Sequence, residues 1–367
     1  DYYASRGLGD VYKRQIISKK IRGQVMYSFT NDYSEGAHPK IMKALIETND
    51  EQCAGYGLDK YCLEATRLLK RQLQNDNVDI HYLVGGTQTN AVFISSVLRP
   101  YQAVIAADSG HINVHETGAI EATGHKVLTR PHQDGKLTVA MIESIIEEHS
   151  DEHMVQPKMV YISQSTEYGS VYSLDELKDI ATLCKKKELY LFVDGARLGS
   201  ALALPDTPTF KDLADYSDAF YIGGTKMGAL FGECLVIVND SLKADFRYNM
   251  KQKGAMMAKG RLLGVQFKEL FSNDLYLEIG KYENKMADIL RAGLKDFEMM
   301  VPSQTNQVFP IMDDELIAKL QQDFSFNIMD RIDDHRHCIR LVTSWATPKE
   351  AVNSFVSKLS ELLHNNL

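Results

Sequence analysis

Two periodicities alternate along the chain. From about Asp79, short apolar runs ("DIHYLV", "AVIAA", "PKMVYIS", "ELYLFVDGAR", "DAFYIGG") are separated by stretches with apolar residues at helical spacing, such as "TQTNAVFISSVL", "INVHETGAIEATG" and "SLDELKDIATLCKKK". This βα alternation predicts an α/β protein with a mostly parallel sheet and helices on both faces. Ligands of such sheets gather at the carboxyl ends of the strands. Upstream, "SEGAHPKIMKALIETN" reads as a helix with Pro39 near its first turn. After about Phe246 the pattern shifts to long helical segments, Met256 to Phe271 and Leu275 to Phe297, followed by short strands ("NQVFPI", "CIRLVTSW") among helices. A large domain over residues 26–250 and a smaller one over 251–367 are expected. Residues 1–25 carry no sustained periodicity and read as an extension foreign to the fold, with Met26 as a natural start.

Charge and cysteine content narrow the partners. Of 367 residues, 41 are Lys or Arg and 49 Asp or Glu, a net charge of −8, which argues against nucleic acid as a ligand. The odd count of five cysteines, with no C-x-x-C pair, points to a reducing compartment, and the expectation is a cytoplasmic protein. No run approaches the roughly 18 apolar residues of a membrane span, so no membrane is expected as a partner.

Neither a G-x-G-x-x-G after a strand nor a G-x-x-x-x-G-K-[ST] loop occurs, so the sheet must serve a ligand other than a dinucleotide or nucleoside triphosphate. Asp194 ends the apolar run Leu189 to Val193, where a buried carboxylate needs a cationic or donating partner. Local pairing with Arg197 is one solution; a protonated ring nitrogen of a cofactor is the other. Lys226 follows the next apolar strand inside "GGTKMG" and is either a surface turn lysine or, with Asp194 at the same sheet edge, a Schiff-base lysine. An ordinary lysine near pKa 10.4 is neutral in about one molecule in 2,500 at pH 7, so burial or a nearby cation is needed to make it a nucleophile. In "LVGGTQTN", Gly86 and Thr87 open a helix, as a simple N-cap or as a phosphate cradle. Phosphate, aldehyde and ring-nitrogen handles together match pyridoxal 5′-phosphate.

His111 and His115 are spaced i, i+4, but no third metal ligand follows nearby, and the reading preferred for His111 is a flat ring stacked on a pyridine. No metal site is expected. Arg340 in "CIRLVTSW" either faces solvent or clamps a substrate carboxylate.

The motifs "GGTQTN", "GHINVHETGA", "VDGARLGSA", "GGTK" and "IRLVTSW", in this order, resemble the threonine aldolases, and the resemblance runs from Met26 to the C-terminus. It implies a mostly parallel seven-stranded sheet of the fold-type-I pyridoxal-phosphate class with a smaller α+β C-terminal domain. The implied activity is cleavage of L-threonine, L-allo-threonine and related β-hydroxy-α-amino acids to glycine and an aldehyde. The resemblance gives Lys226 the covalent link to the cofactor, Asp194 the ring nitrogen, and Gly86 and Thr87 the phosphate. Arg197 would lie near the phenolic oxygen or the substrate carboxylate. His111 would stack and, with His153, approach the substrate hydroxyl; Arg340 and Asn31 would hold the carboxylate. A homotetramer, a dimer of dimers, is implied, in which Tyr56, Lys251 and Lys259 reach a neighbour's active site. His153 on a surface loop, and a merely solvated "KQKGAMMAKGR", are the plainer readings of those segments. The chain departs from the family pattern at Thr225 (commonly Ser), at Phe192 (often His), and at "SQSTEYG", which leaves the place of Glu167 open. β-Elimination or transamination on the same cofactor is the alternative chemistry, and a non-catalytic pyridoxal-phosphate binder the alternative of another class.

Overall fold

Strands and helices alternate as the pattern predicts. The computed structural model describes residues 27–132 and 134–364; the extension expected over 1–25 lies outside the described residues. After a short β1 (Tyr27–Ser28) come β2 (Asp79–Leu83), β3 (Gln102–Ala107), β4 (Val127–Arg130), β5 (Gln156–Ser163), β6 (Tyr190–Asp194), β7 (Ala219–Gly223) and β8 (Glu233–Ile237). Strands β2 to β8 form a seven-stranded sheet in the order β2-β8-β7-β6-β5-β3-β4. Strands β4, β3, β5, β6 and β7 run parallel, while β8 is antiparallel to both β7 and β2. Every residue of β3, β7 and β8 is buried, which is why these strands read as unbroken apolar runs rather than alternating ones.

Helices cover both faces and form two apolar clusters, one around Ile105, Val160, Leu191 and Phe220, the other around Phe93, Tyr161, Phe192 and Tyr221. Their starts are written locally. Ser173 and Glu176 make a reciprocal capping box on the helix Leu174–Lys186, and Asp59 caps Lys60–Leu73. The early helix runs Pro39–Glu47, with Pro39 at its first turn.

Beyond β8 the helix Arg261–Ser272 begins five residues later than the apolar pattern implied, because Gly254 turns the chain at φ +68° and Gly260 caps the helix. Its Phe267, Leu270 and Phe271 pack into the cluster of the large sheet. The helix Leu275–Gly293 spans two cores: Leu275, Tyr276 and Ile279 join the large sheet, and Met286, Ala287 and Leu290 join a third cluster with Phe29, Leu341 and Phe355. That cluster lines a small antiparallel sheet of β9 (Gln307–Val308), β10 (Ile311–Asp313), β12 (Asn327–Arg331) and β13 (Arg336–Val342). Pro310, which has no N–H to donate, splits the run "NQVFPI" into β9 and β10. β1 returns to this region and pairs with β11 (Phe324–Ser325), so the segment after it, with Asp32 and Tyr33, is delivered to the junction of the two sheets.

Candidate active site

The glycines around Lys226 exist because two strand ends approach too closely for a side chain. Gly223 N–H donates to Gly195 O at 2.9 Å, and a Cβ on Gly223 would lie 2.3 Å from Ala196 O. On Gly195 it would lie 1.9 Å from Tyr221 O. This approach puts the ends of β6 and β7, with Asp194 and Lys226, on one edge of the sheet. The Lys226 turn is pinned from β8: Glu233 accepts from Gly224 N–H at 3.0 Å and from the Thr225 hydroxyl at 2.9 Å. Burial pushes the Glu233 carboxyl up to about 8. Burial, reinforced by the Arg197 guanidinium, holds the Lys226 amine below the ordinary lysine range, so a larger fraction is a free nucleophile.

Asp194 is 3% exposed and does not pair with Arg197. Its carboxylate instead accepts from the Tyr161 hydroxyl, from Ala196 N–H at 2.9 Å and from Asn90 Nδ2 at 3.4 Å. Asn90 also donates to Glu116 at 2.8 Å, and Glu116 holds His111 Nδ1 at 2.8 Å. His111 opens a four-residue helix that ends at Val114, so His115 is its C-cap rather than a helical i+4 partner. The two imidazole rings are 5.5 Å apart, centroid to centroid. Burial, followed by electrostatic contributions from His111, Arg340 and Lys226, lowers the His115 pKa and favours its neutral form.

These residues line two adjoining chambers. The inner one, about 310 Å³, is walled by Gly85, Gly86, Thr87, Asp194, Thr225 and Glu233. The outer one, about 590 Å³, is walled by Ser109, His115, His132, Tyr168 and Arg340. Tyr33, His111, Glu167, Arg197 and Lys226 line both and mark the passage between them. A separate cavity of about 510 Å³ beside Lys136 and Glu176 contains none of these groups.

Pyridoxal phosphate fits the inner chamber. The helix Gly86–Val97 starts at its mouth with no side-chain cap, leaving first-turn N–H groups for an anion, and a Cβ on Gly86 would already crowd Tyr221 Oη at 3.0 Å. The same chamber holds a partly neutral amine, Lys226, for an aldehyde and a buried carboxylate, Asp194, for a ring nitrogen.

The two arginines at this edge differ. Arg197 is gripped by Asp32 through Nε at 2.6 Å and Nη2 at 3.1 Å, and Asn306 adds a bond to Asp32 at 2.9 Å. Burial alone would raise the Asp32 carboxyl, but Arg197 and Lys226 outweigh it and hold it below the usual carboxylate range. Arg340, on β13, has a buried Nε without a hydrogen-bond partner among the described residues. Burial, followed by Arg197, lowers its pKa, and both effects would be relieved by an anion.

Of the residues singled out in the sequence, Lys226, Asp194, Gly86, Thr87, His111, Arg197 and Arg340 converge here. His153 does not. It sits on an exposed turn before β5, outside the amino end of a strand whose carboxyl end, Ser163, pairs with Asp194. Eight strand residues separate the two edges by roughly 26 Å. Asn31 spends its side-chain oxygen on Tyr33 N–H and the Ser34 hydroxyl, both at 2.9 Å, and so shapes the turn that carries Asp32. Tyr56, Lys251 and Lys259 lie outside both chambers on the exposed surface, where Lys251 Nζ sits 4.4 Å over the Tyr56 ring.

Sequence reasoning passed over Asp32 and Tyr161, and weighed His115 only as a metal ligand. Asp32 stands next to Asn31, and Tyr161 lies within an apolar strand run where only a hydroxyl betrays it.

A family model described as beta-eliminating lyase matches residues 33–315. A low specificity L-threonine aldolase of a Pseudomonas species is 32% identical over 80% of this chain and 86% of its own. The solved Leishmania major threonine aldolase is 51% identical, with TM-score 0.90 over 92% of this chain and 99% of that one. An aspartate aminotransferase of Thermus thermophilus, at 14% identity, superposes with TM-score 0.68 over 98% and 97% of the two chains and shares the fold.

Proposed function

Because this chain belongs to the beta-eliminating lyase family and is most alike, among the relatives described, to its threonine aldolases, we propose that it cleaves L-threonine and L-allo-threonine to glycine and acetaldehyde. It is a pyridoxal-phosphate-dependent carbon–carbon lyase acting on β-hydroxy-α-amino acids. The observation that carries this reading is the pairing of Lys226 and Asp194 in the inner chamber with Arg340 in the outer one, whose buried Nε has no hydrogen-bond partner among the described residues.

Lys226 would hold the cofactor through its amine, Gly86 and Thr87 its phosphate, and Asp194 the proton on its ring nitrogen. When bound, pyridoxal phosphate supplies the sink for the electron pair released at Cα. The hydrogen bonds from Tyr161, Ala196 and Asn90 fix the Asp194 carboxylate, which therefore needs no rearrangement to keep that ring proton. His111, oriented through Nδ1 by Glu116, presents its ring as the stacking face. Arg340 supplies a free fork for the substrate carboxylate, and Arg197, fixed by Asp32, supplies the neighbouring positive charge. Asn31 acts on the carboxylate through the turn that positions Asp32. Held at one end, the substrate would present its Cβ hydroxyl at the passage between the chambers, where geometry would choose Cα–Cβ cleavage over other bonds.

The exposed Tyr56, Lys251 and Lys259 fit the role of groups offered to a neighbouring subunit's site in a homotetramer, with His153 either in the same class or without a catalytic part. The five cysteines are unbridged, in keeping with a cytoplasmic home. No helix among the described residues is long and apolar enough to cross a membrane. A large unit over 26–250 and a smaller one over 251–367 remain our reading, with the helix Leu275–Gly293 contributing to the apolar clusters of both.

Lys226→Ala tests the central assignment. The visible absorbance of lysine-bound cofactor and acetaldehyde release should both disappear; a variant that kept the chromophore and turnover would refute it.

A further inference from the structure

Five residues line the passage where the inner chamber opens into the outer, and Glu167 is the only acid among them. A substrate linked to the cofactor's end of the inner chamber must place its reacting atoms at that passage. Of the other four, Tyr33 offers only a phenol and three are engaged. Arg197 is paired to Asp32, His111 Nδ1 is held by Glu116, and Lys226 is assigned to the cofactor. Glu167 is committed through one oxygen only: Oε1 accepts from His111 N–H at 2.9 Å and from the Ser163 hydroxyl at 2.9 Å. Oε2 accepts no hydrogen bond among the described residues.

We propose that Glu167 is the catalytic base for the substrate's β-hydroxyl, with Oε2 as the accepting atom. The inference deepens the threonine-cleavage reading and rests on it. In the step, Oε2 takes the hydroxyl proton, the O–H pair becomes the second bond of the aldehyde carbonyl, and the Cα–Cβ bond breaks with its electron pair left on the glycine half. Glu167 then returns the proton to solvent as the aldehyde leaves, while Cα takes one up, so threonine becomes glycine plus acetaldehyde.

The surroundings suit the task. Burial and the Asp194 charge raise the Glu167 pKa above the ordinary carboxyl value, which strengthens it as a base, while its own backbone N–H, the Ser163 hydroxyl and His111 oppose the rise. The positive charge of Arg197 and the side chains of Tyr161, Tyr168 and Tyr172 lie within electrostatic range of it. Ser163 and the His111 turn, from two different strand ends, fix the carboxylate's orientation. The segment "SQSTEYG", where the chain leaves the family pattern, is what carries it there.

Glu167→Gln isolates basicity from architecture, because the amide oxygen accepts from His111 N–H and the Ser163 hydroxyl as the carboxylate does. Three quantities are measured on holoprotein: glycine affinity by spectral titration, exchange of the glycine α-hydrogen in D₂O by NMR, and acetaldehyde release from L-threonine. Glycine has no β-hydroxyl, so affinity and exchange should stay within about threefold of the parent, while kcat for cleavage falls about 100-fold or more. Cleavage within threefold of the parent, or all three quantities falling together, would overturn the proposal. A second variant, Glu167→Ala, should regain cleavage with added formate without a matching change in glycine exchange; absence of rescue counts against the role. If the parent itself releases no acetaldehyde, threonine cleavage fails as the function and this inference falls with it. A parent that cleaves and a Gln variant that cleaves equally well rejects Glu167 alone.

Discussion

The inner and outer chambers are built from the same kinds of residue put to opposite use. On the inner walls the two carboxyl groups that do not reach the passage come with partners already in place: Asp194 with Tyr161, Ala196 and Asn90, and Glu233 with Gly224 and Thr225. On the outer walls the Arg340 Nε is buried without a hydrogen-bond partner among the described residues, and His115 is held toward neutrality. An unsatisfied buried donor costs about 1–3 kcal/mol, more for a charged group, so the outer chamber carries a cost that a ligand can relieve. The inner chamber is thus set for a resident cofactor, and the outer one for a substrate that comes and goes.

This contrast is open to attack residue by residue. Asp194→Asn strikes the inner wall and should lower kcat by about 100- to 1,000-fold while part of the cofactor still binds; unchanged kcat in steady-state assays would break the inner half of the comparison. Asp32→Asn strands the Arg197 guanidinium at the boundary and should cost about 3–5 kcal/mol in denaturant unfolding. The Asp32 carboxyl is held below its ordinary pKa, so the stability it contributes is present above an unfolded pKa of about 3.9 and is lost as pH falls through the lower folded value. Parent and variant stabilities should therefore converge in acid, and a gap independent of pH would dismiss the charge pairing. Arg340→Ala strikes the outer wall alone: KM for threonine should rise about 10- to 100-fold with the cofactor's visible spectrum intact, and a changed spectrum would mean that the chambers are not separate in function. His153→Phe should change kcat less than about twofold, given its exposed place beyond the other edge of the sheet. A larger loss would mean that a neighbouring subunit brings it to the site.

The parts of this site that a sequence exposes are those that break its own pattern. Lys226 and Asp194 stand out as charges at the ends of apolar strands, and Gly223 marks a close backbone approach before the approaching chain is known. The βα alternation carries the sheet for the same reason, since period and strand length are local. Partnerships across distance are silent. Arg197 and Asp32 are 165 positions apart and meet only because β1 returns to pair with β11. Glu167 had a place in the sequence but no visible role, because its partners, Ser163 and the His111 turn, come from two strand ends. His153 is silent for the converse reason: the resemblance supplies a role, while the length of β5 sets the residue at the far edge of its own chain's sheet.

The most direct measurement takes the holoprotein, adds L-threonine and quantifies every product. Equimolar glycine and acetaldehyde is the expected result, at a rate that collapses in Lys226→Ala. Formation of 2-oxobutanoate and ammonia in their place would contradict Cα–Cβ cleavage and assign the same two chambers to elimination.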